Sequence, residues 1–261
     1  MLILADTHVH IYPCHDFARA FDSIVARMDE HAADRDHVKV ACLAERGDCH
    51  WFRAAAAGET AMPRGYDVKR GTAGDESLTV TFDENELVVV AGRQIRTAEG
   101  LEVLALTSDI AVPDGLPVRE TIGAVLDKNA IPVLSWAMGK WTFGRGRIVK
   151  KLVRNAVPGK LLVGDSSLRP ACNEDQRLMC LARERDIAVV AGSDPLPVAG
   201  EERYCGSYFS VLSGEFDCDS PAAAMRRLLS APESVIGSGG VRSSLSTALE
   251  RMARHYLADS R

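Results

Sequence analysis

The chain contains 261 residues, of which 46% are hydrophobic and 26% are charged. This length allows one α/β barrel or two smaller domains, and the composition is that of an ordinary globular protein. The formal net charge of -5 argues against a general nucleic-acid-binding protein, although it leaves room for a local basic patch.

Cysteine usage and hydropathy favour a cytoplasmic protein. The cysteines are scattered and include no Cys-x-x-Cys pair, which is typical of reduced thiols rather than of a disulfide framework. No basic segment precedes the short apolar run at the N-terminus, and no apolar stretch approaches the roughly 18 residues of a membrane helix. We therefore expect neither a signal peptide nor a membrane span.

The first residues predict a strand that ends in metal ligands. Residues 2–5 are a short apolar run, which is typical of a buried strand. Because side chains alternate along a strand, Asp6, His8 and His10 should point to the same side at its end. Two imidazoles on one face can chelate a metal, and carboxylates nearby would complete a set suited to Zn, Mn or Fe. Two solvated histidines are the alternative, which the apolar strand directly before them disfavours.

The rest of the chain alternates between predicted helices and strands. Periodicity predicts helices at 17–33, 51–57, 118–128, 148–155, 173–185, 221–230 and 241–257. It predicts strands at 2–5, 37–44, 77–82, 87–91, 101–106, 131–135, 160–163 and 187–191, with a short strand and Gly-rich turn at 232–240. This alternation favours a parallel barrel or a doubly wound sheet, and no linker interrupts residues 1–261, so we predict a single domain.

Polar residues that follow predicted strands are candidates for an active site, because the strand ends of a barrel face one mouth. The best candidate beyond the histidines is Asp194, which follows the apolar run 187–191. A turn aspartate before Pro195 is the alternative, and pairing with the histidine-bearing strand end favours a ligand. The other polar or aromatic residues at such ends are Asp6, Glu45, Arg46, Trp136 and Asp165.

Two motifs resemble those of a known family. Asp6-x-His8-x-His10, with Asp16 six residues after the second histidine, resembles the first motif of the PHP (polymerase and histidinol phosphatase) family. Segments 90–95, 100–106 and 131–136 follow the family's usual order, and Gly-Ser-Asp194 resembles its final motif. The resemblance covers roughly residues 1–197. It implies a distorted (β/α)7 TIM-like barrel, up to three metals at the mouth, and usually phosphoester hydrolysis.

Several positions depart from the family's ligand set. Glu45-Arg46 stands where the family carries Asp-His, and Gln94 stands at its bridging glutamate. Three further family histidines fall on Glu102, Trp136 and Leu196. Glutamine is neutral and cannot bridge two cations as a carboxylate does, and the permanent charge of Arg46 would repel a metal beside it. A trinuclear centre is therefore not expected.

The residues that match the family predict at most one metal. In family terms one metal position keeps three of its ligands and the other two positions lose most of theirs. His8, His10 and Asp194 would therefore hold one divalent transition metal, Zn, Mn or Fe, with water in an open position. That water would be the hydrolytic nucleophile, and Asp16 or Glu45 would be its general base.

A basic loop follows the predicted strand at 131–135. Lys140 and Arg145, with Trp141 and Phe143 between them, would clamp an anionic or aromatic ligand at the mouth. A solvated basic loop is the alternative. If Arg46 faces the same mouth, these three cations would bind a phosphate or carboxylate in place of the missing metals.

Two functions stay open at this point. One is a single-metal hydrolase that acts on a small anionic ester or phosphoester. The other is a catalytically inactive barrel that binds an anionic ligand or a protein partner at the former active-site mouth. The retained ligands favour the hydrolase, and the substituted positions favour the binder. We favour the hydrolase and leave its oligomeric state open.

Two features of the C-terminal region carry structural predictions. Leu245, Leu249, Met252 and Tyr256 form one stripe on the last predicted helix, which favours packing against the barrel over a dimer contact. The Gly-rich run 237–240 precedes that helix and favours a turn over a phosphate cradle, since it lacks the Gly-Lys-Ser/Thr of a P-loop.

Overall fold

The computed structural model describes residues 1–173 and 176–259. Its strands are β1 (Leu2–Val9), β2 (His37–Leu43), β3 (Asp67–Arg70), β4 (Ser77–Phe82), β5 (Asn85–Val90), β6 (Gly92–Arg96), β7 (Glu102–Leu106), β8 (Ile131–Ser135), β9 (Leu162–Ser166), β10 (Val189–Gly192), β11 (Tyr208–Ser213) and β12 (Val235–Gly240). Its helices are α1 (Phe17–Ala32), α2 (Trp51–Ala57), α3 (Val118–Asp127), α4 (Phe143–Asn155), α5 (Arg177–Arg183), α6 (Pro221–Ser230) and α7 (Leu245–Asp259). Within the described residues, the strands form a seven-stranded sheet in the order β12-β11-β1-β2-β5-β4-β3 and a five-stranded sheet in the order β10-β9-β8-β7-β6.

β1 lies in the middle of the larger sheet, parallel to β2 and antiparallel to β11. Both of its faces are covered, because Leu4 packs into one hydrophobic cluster and Ile3 and Ala5 pack into another. A strand that is buried on both faces is apolar throughout rather than alternating. β1 also continues to Val9, past the predicted end of the strand, so His8 lies within it.

Several hydrogen bonds link the two sheets, and two of them join β1 to β10 and β2 to β6. The Thr7 hydroxyl donates to the Ala191 carbonyl at 2.9 Å, which joins β1 to β10. The Glu45 amide, just after β2, donates to the Gly92 carbonyl of β6 at 3.0 Å. The predicted α/β fold is confirmed. The described strand pairs form two sheets, and a closed seven-stranded ring stays a proposal.

Most strongly periodic elements lie where the sequence predicts them, including α1, β2, α2, β8 and α6. The predictions missed β3, β6 and β11. They also began α4 five residues late, because two glycines in its first turn have low helix propensity. The predicted helix 173–185 is observed as α5 over Arg177–Arg183, and its residues 174–175 lie outside the described part of the chain.

The Gly-rich run before the last helix is a strand, not the predicted turn. It belongs to β12, which pairs antiparallel with β11. A Cβ atom at Gly239 would overlap the ring of Phe209, so glycine is required for β12 to approach its neighbour. Close packing, rather than a turn conformation, explains the glycine at that position.

The prediction that the C-terminal stripe packs against the barrel is wrong. Leu245, Leu249 and Tyr256 on α7 are 51%, 53% and 67% exposed. The opposite face of α7 turns inward instead, and there Ala248 and Arg251 are buried. Sequence periodicity predicted a helix in this region but began it four residues early, at 241, and misjudged its orientation, because the inner face of α7 carries a charged side chain.

Across the described part of the chain, no helix combines the length and the apolar character that a membrane crossing requires. All seven cysteines lie among the described residues, and each of them is a free thiol.

Candidate metal centre

His8, His10 and Asp194 come together where β1 and β10 end. The Nε2 atoms of His8 and His10 are 3.0 Å apart, and Asp194 Oδ1 lies 3.5 Å from the first and 3.7 Å from the second. A tetrahedral cation with bonds of about 2.0–2.2 Å separates its ligand atoms by about 3.3–3.6 Å. One spacing lies within this range, one is about 0.1 Å longer and one about 0.3 Å shorter, so small shifts of the side chains would suit the three atoms to one ion. The described residues bring them together as the sequence predicts.

The backbone fixes this arrangement. His8 and His10 are two residues apart, so both rings lie on the same side of the chain. Asp194 follows β10 with a φ of 51°, a left-handed conformation that few residues other than glycine adopt. Its amide donates to the His8 carbonyl at 2.9 Å, which joins the loop after β10 directly to the strand that carries the histidines.

The environment keeps His10 neutral. Burial lowers the pKa of its imidazole well below the ordinary value, and the neighbouring His8 and the charge of Arg46 lower it further. A metal ligates the neutral imidazole, so a depressed pKa keeps the ligating form populated at neutral and mildly acidic pH.

Two serine hydroxyls orient the ligands. Ser135 Oγ lies 3.3 Å from His8 Nδ1, and Ser166 Oγ donates to Asp194 Oδ2 at 2.9 Å. Partners of this kind fix the ring orientation of a ligating histidine and direct its other nitrogen to the metal. Sequence reasoning missed both serines. The available signal was their position as the last residues of β8 and β9.

Gln94 of β6 also faces the centre. Its Oε1 lies 3.0 Å from His8 Nε2. The amide oxygen offers a neutral donor where the resembling family has a bridging carboxylate. A neutral donor adds no charge to hold a second cation, and the count of at most one metal stays a prediction.

Arg46 lies on the same side as the ligands. Its charge helps to lower the pKa of His10. Burial, and then the Asp194 carboxylate, raise the pKa of Tyr12, and the charge of Arg46 opposes that rise. The Tyr12 ring stacks on His10 with centroids 5.1 Å apart. The Arg46 side chain is 46% exposed and lies 3.5 Å from Asp48, so its guanidinium stays accessible to an anion. Tyr12 is a site residue that the sequence did not reveal.

The basic loop after β8 is more constrained than predicted. Lys140 pairs with Glu102, and Arg145 donates to the Gly139 carbonyl at 3.1 Å. Trp141 is buried and donates to the Ser135 carbonyl at 3.1 Å, so its predicted part in a ligand clamp is wrong. Phe143 is 94% exposed. Substrate binding by Lys140 and Arg145 stays a prediction.

Three of the other strand-end residues have structural contacts instead of ligand positions. Asp6 is buried and accepts hydrogen bonds from the amides of His8, Ser193 and Gly206 at 3.2, 2.9 and 2.8 Å. Burial raises its pKa to about 6, against the effect of those amides. Asp165 instead forms hydrogen bonds with Arg169, and Trp136 is buried in a hydrophobic cluster.

Asp16, one predicted general base, is the N-cap of α1. Its exposed carboxylate accepts a hydrogen bond from the Arg19 amide at 3.2 Å. We expect Asp16→Ala to lower the free energy of unfolding by about 1 kcal/mol and to leave metal affinity unchanged, because it removes a helix cap. Asp16→Asn, which keeps the cap, is the control. Urea denaturation and a metal titration measure both effects, and a loss of hydrolysis in both variants would instead support the role of base.

Glu45, the other predicted base, lies beside Arg93 rather than beside the histidines. Its buried carboxylate accepts from the Phe52 amide at 3.1 Å and lies 3.8 Å from Arg93 Nη1. Glu45 and Arg93 form a parallel β-bridge through their backbones. Because side chains alternate along β6, Gln94 points to the side of the strand opposite to Arg93. These contacts favour a structural role between β2 and α2 over the predicted role of base.

The pH dependence of stability tests the burial of Glu45. Burial raises its pKa from 4.5 to about 7, and the Phe52 amide and Arg93 oppose the rise. The folded protein then binds a proton that the unfolded chain releases, so stability falls as the pH rises from 4.5 to 7. Relative to Glu45→Gln, we expect the free energy of unfolding to drop by about 3 kcal/mol over this range. Urea titrations at several pH values measure this drop. Wild type and Glu45→Gln whose free energies of unfolding change in parallel with pH would contradict the prediction.

Solved structures with a similar fold include PsfC from Pseudomonas syringae PB-5123. It aligns with 99% of this chain and 98% of its own, with a TM-score of 0.56 and 14% identity. The lesion-specific endonuclease PfuEndoQ from Pyrococcus furiosus aligns with 92% of this chain, with a TM-score of 0.50 and 11% identity, and this chain spans 57% of its length. Endonuclease Q in complex with a 27-mer duplex substrate with an abasic lesion at the active site aligns with 96% of this chain and 67% of its own, with a TM-score of 0.50 and 9% identity.

At these identities the likeness concerns the fold alone. The neighbours fit a PHP-like fold, in agreement with the resemblance that the sequence motifs predict. No family model matches the chain, and no curated protein matches its sequence.

Proposed function

We propose that this protein is a metal-dependent hydrolase with one divalent transition metal, Zn, Mn or Fe, held by His8, His10 and Asp194. The observation that carries the proposal is the triangle of ligand atoms, with sides of 3.0, 3.5 and 3.7 Å. Bound there, the ion would supply Lewis acidity and a water molecule acidic enough to act as a nucleophile at neutral pH.

The proposed substrate is a small anionic ester or phosphoester. Arg46 carries an accessible guanidinium near His10, and a guanidinium binds a phosphate or carboxylate through paired hydrogen bonds. Lys140 and Arg145 are proposed to contribute further positive charge at the rim. The Asp16 and Glu45 variants described above separate a structural role of each carboxylate from that of a general base.

The architecture proposed for this site is a distorted seven-stranded barrel in one domain. The links between β1 and β10 and between β2 and β6 support a ring in which β7, β8 and β9 complete the circle. Such a ring brings the ends of β1 and β10 to one mouth, where the ligand atoms meet.

The fold neighbours support a hydrolase in a limited way. Two of them are endonucleases by name, and endonucleases cleave phosphoester bonds. The duplex with an abasic lesion is the substrate of that protein. For this chain we propose a small substrate, because its net charge of -5 does not suit general nucleic-acid binding.

A second candidate function is a catalytically inactive barrel that binds an anionic ligand or a protein partner at the same mouth. Arg46 favours this candidate. Its positive charge lowers the pKa of His10 because it repels a proton on the imidazole, and the same charge would repel a metal cation bound there.

Metal analysis combined with an activity assay distinguishes the two functions. The protein is purified without chelator, its metal content is measured, and hydrolysis of p-nitrophenyl phosphate and bis-p-nitrophenyl phosphate is followed. For the hydrolase we expect one metal per chain and an activity that dialysis against chelator removes and Zn²⁺, Mn²⁺ or Fe²⁺ restores. Folded, metal-free protein that hydrolyses neither ester with any of these ions would support the second function.

A further inference from the structure

Arg251 is a buried arginine on the inner face of α7. Its Nη2 donates to the backbone carbonyl of Asp194 at 3.3 Å, and its Nη1 donates to Ser167 Oγ at 3.1 Å. The Ser167 hydroxyl in turn donates to the carbonyl of Ser193, the residue before Asp194. One guanidinium therefore holds the loop after β10 at two successive peptide units.

This guanidinium is itself fixed from several sides. Glu201 Oε2 accepts from its Nε at 2.9 Å and lies 2.8 Å from its Nη2, and the Tyr204 ring centroid lies 4.0 Å from its Cζ. A buried charge is costly unless it is paired and its donors are used. Here the donors serve the loop that carries a metal ligand, whereas an apolar residue would fill the same space without that cost.

The loop needs such support. Asp194 has the left-handed φ of 51°, which aspartate adopts more readily than most residues but which still costs energy relative to an extended or right-handed conformation. The Asp194 amide is bound to β1, and its carboxylate is bound by Ser166. The Arg251 contact to its carbonyl is the third restraint, and it fixes the peptide plane that sets the direction of the side chain.

We propose that Arg251 is a positioning residue for Asp194, so that α7 shapes the metal centre without supplying a ligand. The inference rests on the proposed metal centre. Arginine is required because its planar fork reaches Asp194, Glu201 and Ser167 at once, and the single ammonium of lysine does not. Loss of the fork lets the Asp194 peptide rotate and moves Oδ1 away from the two imidazoles.

Titration of the metal-free full-length chain with Co²⁺, and Zn²⁺ competition against a chromophoric chelator, test this role. For Arg251→Met we expect the Kd for Zn²⁺ to rise about 10- to 100-fold, as is typical for loss of an outer-sphere partner, with an altered Co²⁺ absorption spectrum. Arg251→Lys should recover only part of the affinity. Arg254→Met is the matched control, because Arg254 lies one turn later on α7 and donates to the Ala199 carbonyl at 2.9 Å.

A control for general destabilisation is Leu78→Ala, which opens a cavity in β4, a strand that β2 and β5 separate from β1 in the seven-stranded sheet. It should lower the free energy of unfolding and leave both the Kd and the Co²⁺ spectrum unchanged. If Arg251→Met has the same Kd for Zn²⁺ and the same Co²⁺ spectrum as Arg254→Met, the inference is overturned, whereas the proposal of a metal centre stands. Wild-type protein that binds neither ion would overturn the proposed function, and this inference with it.

A further variant covers the case in which Arg251→Met does not fold. Glu201→Gln keeps the shape of the side chain but removes the charge that holds the guanidinium, so we expect the Kd for Zn²⁺ to rise, by less than the about 10- to 100-fold expected for Arg251→Met. An unchanged Kd in folded Glu201→Gln would overturn the inference in that case.

Discussion

The double variant His8→Ala, His10→Ala is expected to lose its metal while remaining folded. Two of the three proposed ligand atoms disappear, and a single carboxylate on a loop does not hold a divalent ion at submicromolar concentration. The loss should exceed the roughly 10- to 100-fold that outer-sphere partners typically cause. Elemental analysis after purification without chelator and a Zn²⁺ titration measure it, with circular dichroism as the check on folding.

His37→Ala is the matched control for this variant. His37 lies at the start of β2 and pairs with Asp29 at 2.8 Å, outside the group of three ligands. It should keep the wild-type metal content. Undiminished metal in the double variant would mean that the ion binds elsewhere, and the triangle of donor atoms would then have no part in the proposed hydrolysis.

The sequence predicts that His8, His10 and Asp194 come together because they lie at strand ends. β1 is recognisable from its apolar run, and the spacing of His8 and His10 follows from strand geometry alone. Asp194 was the harder residue, since a turn aspartate before a proline has the same local sequence. Only the contact between β1 and β10, a long-range feature, brings it within 3.5 Å of His8.

Local pattern could not separate a structural carboxylate from a catalytic one. Asp16 follows the histidine motif at the family's spacing, yet an aspartate just before a helix is also the usual N-cap. Glu45 follows an apolar strand, yet its side chain turns towards Arg93 and the start of α2. In each case the direction of one side chain favours a structural role, because Asp16 turns to the Arg19 amide of its own helix and Glu45 turns to Arg93 of a distant strand.

The supporting residues were invisible for a related reason. Ser135 and Ser166 carry no motif, and Arg251 lies 57 residues after the aspartate whose carbonyl it binds. The prediction of the inner face of α7 used only the spacing of apolar residues. It therefore assigned the stripe that contains Leu245 and Leu249, which is largely exposed, to the inside. A buried arginine inverted that expectation, because its energetic role comes from specific donors rather than from apolar area.

Gly192→Ala is expected to disrupt both the fold and the metal centre. Gly192 is the last residue of β10, and a Cβ atom there would lie 2.6 Å from the His8 amide nitrogen, 2.9 Å from its Cα, and closer still to its Cβ. Two of these three atoms belong to the backbone of β1, so no side-chain rotation relieves the overlap. β1 and β10 must move apart, which lengthens the 3.5 Å spacing between His8 and Asp194.

We expect Gly192→Ala to lower the free energy of unfolding by about 3 kcal/mol, at the upper end of the range typical of overpacking, and to raise the Kd for Zn²⁺ more than 100-fold. The matched substitution is Gly123→Ala, because Gly123 lies in α3 with no atom near its would-be Cβ. There alanine should stabilise the helix by about 0.5–1 kcal/mol and leave metal affinity unchanged. The same methyl group is added at both positions. If urea denaturation shows a lower free energy of unfolding for Gly192→Ala and a higher one for Gly123→Ala, the effect comes from the contact between β10 and His8. If both substitutions change the free energy of unfolding in the same direction, β1 and β10 are not packed as closely as the metal centre requires.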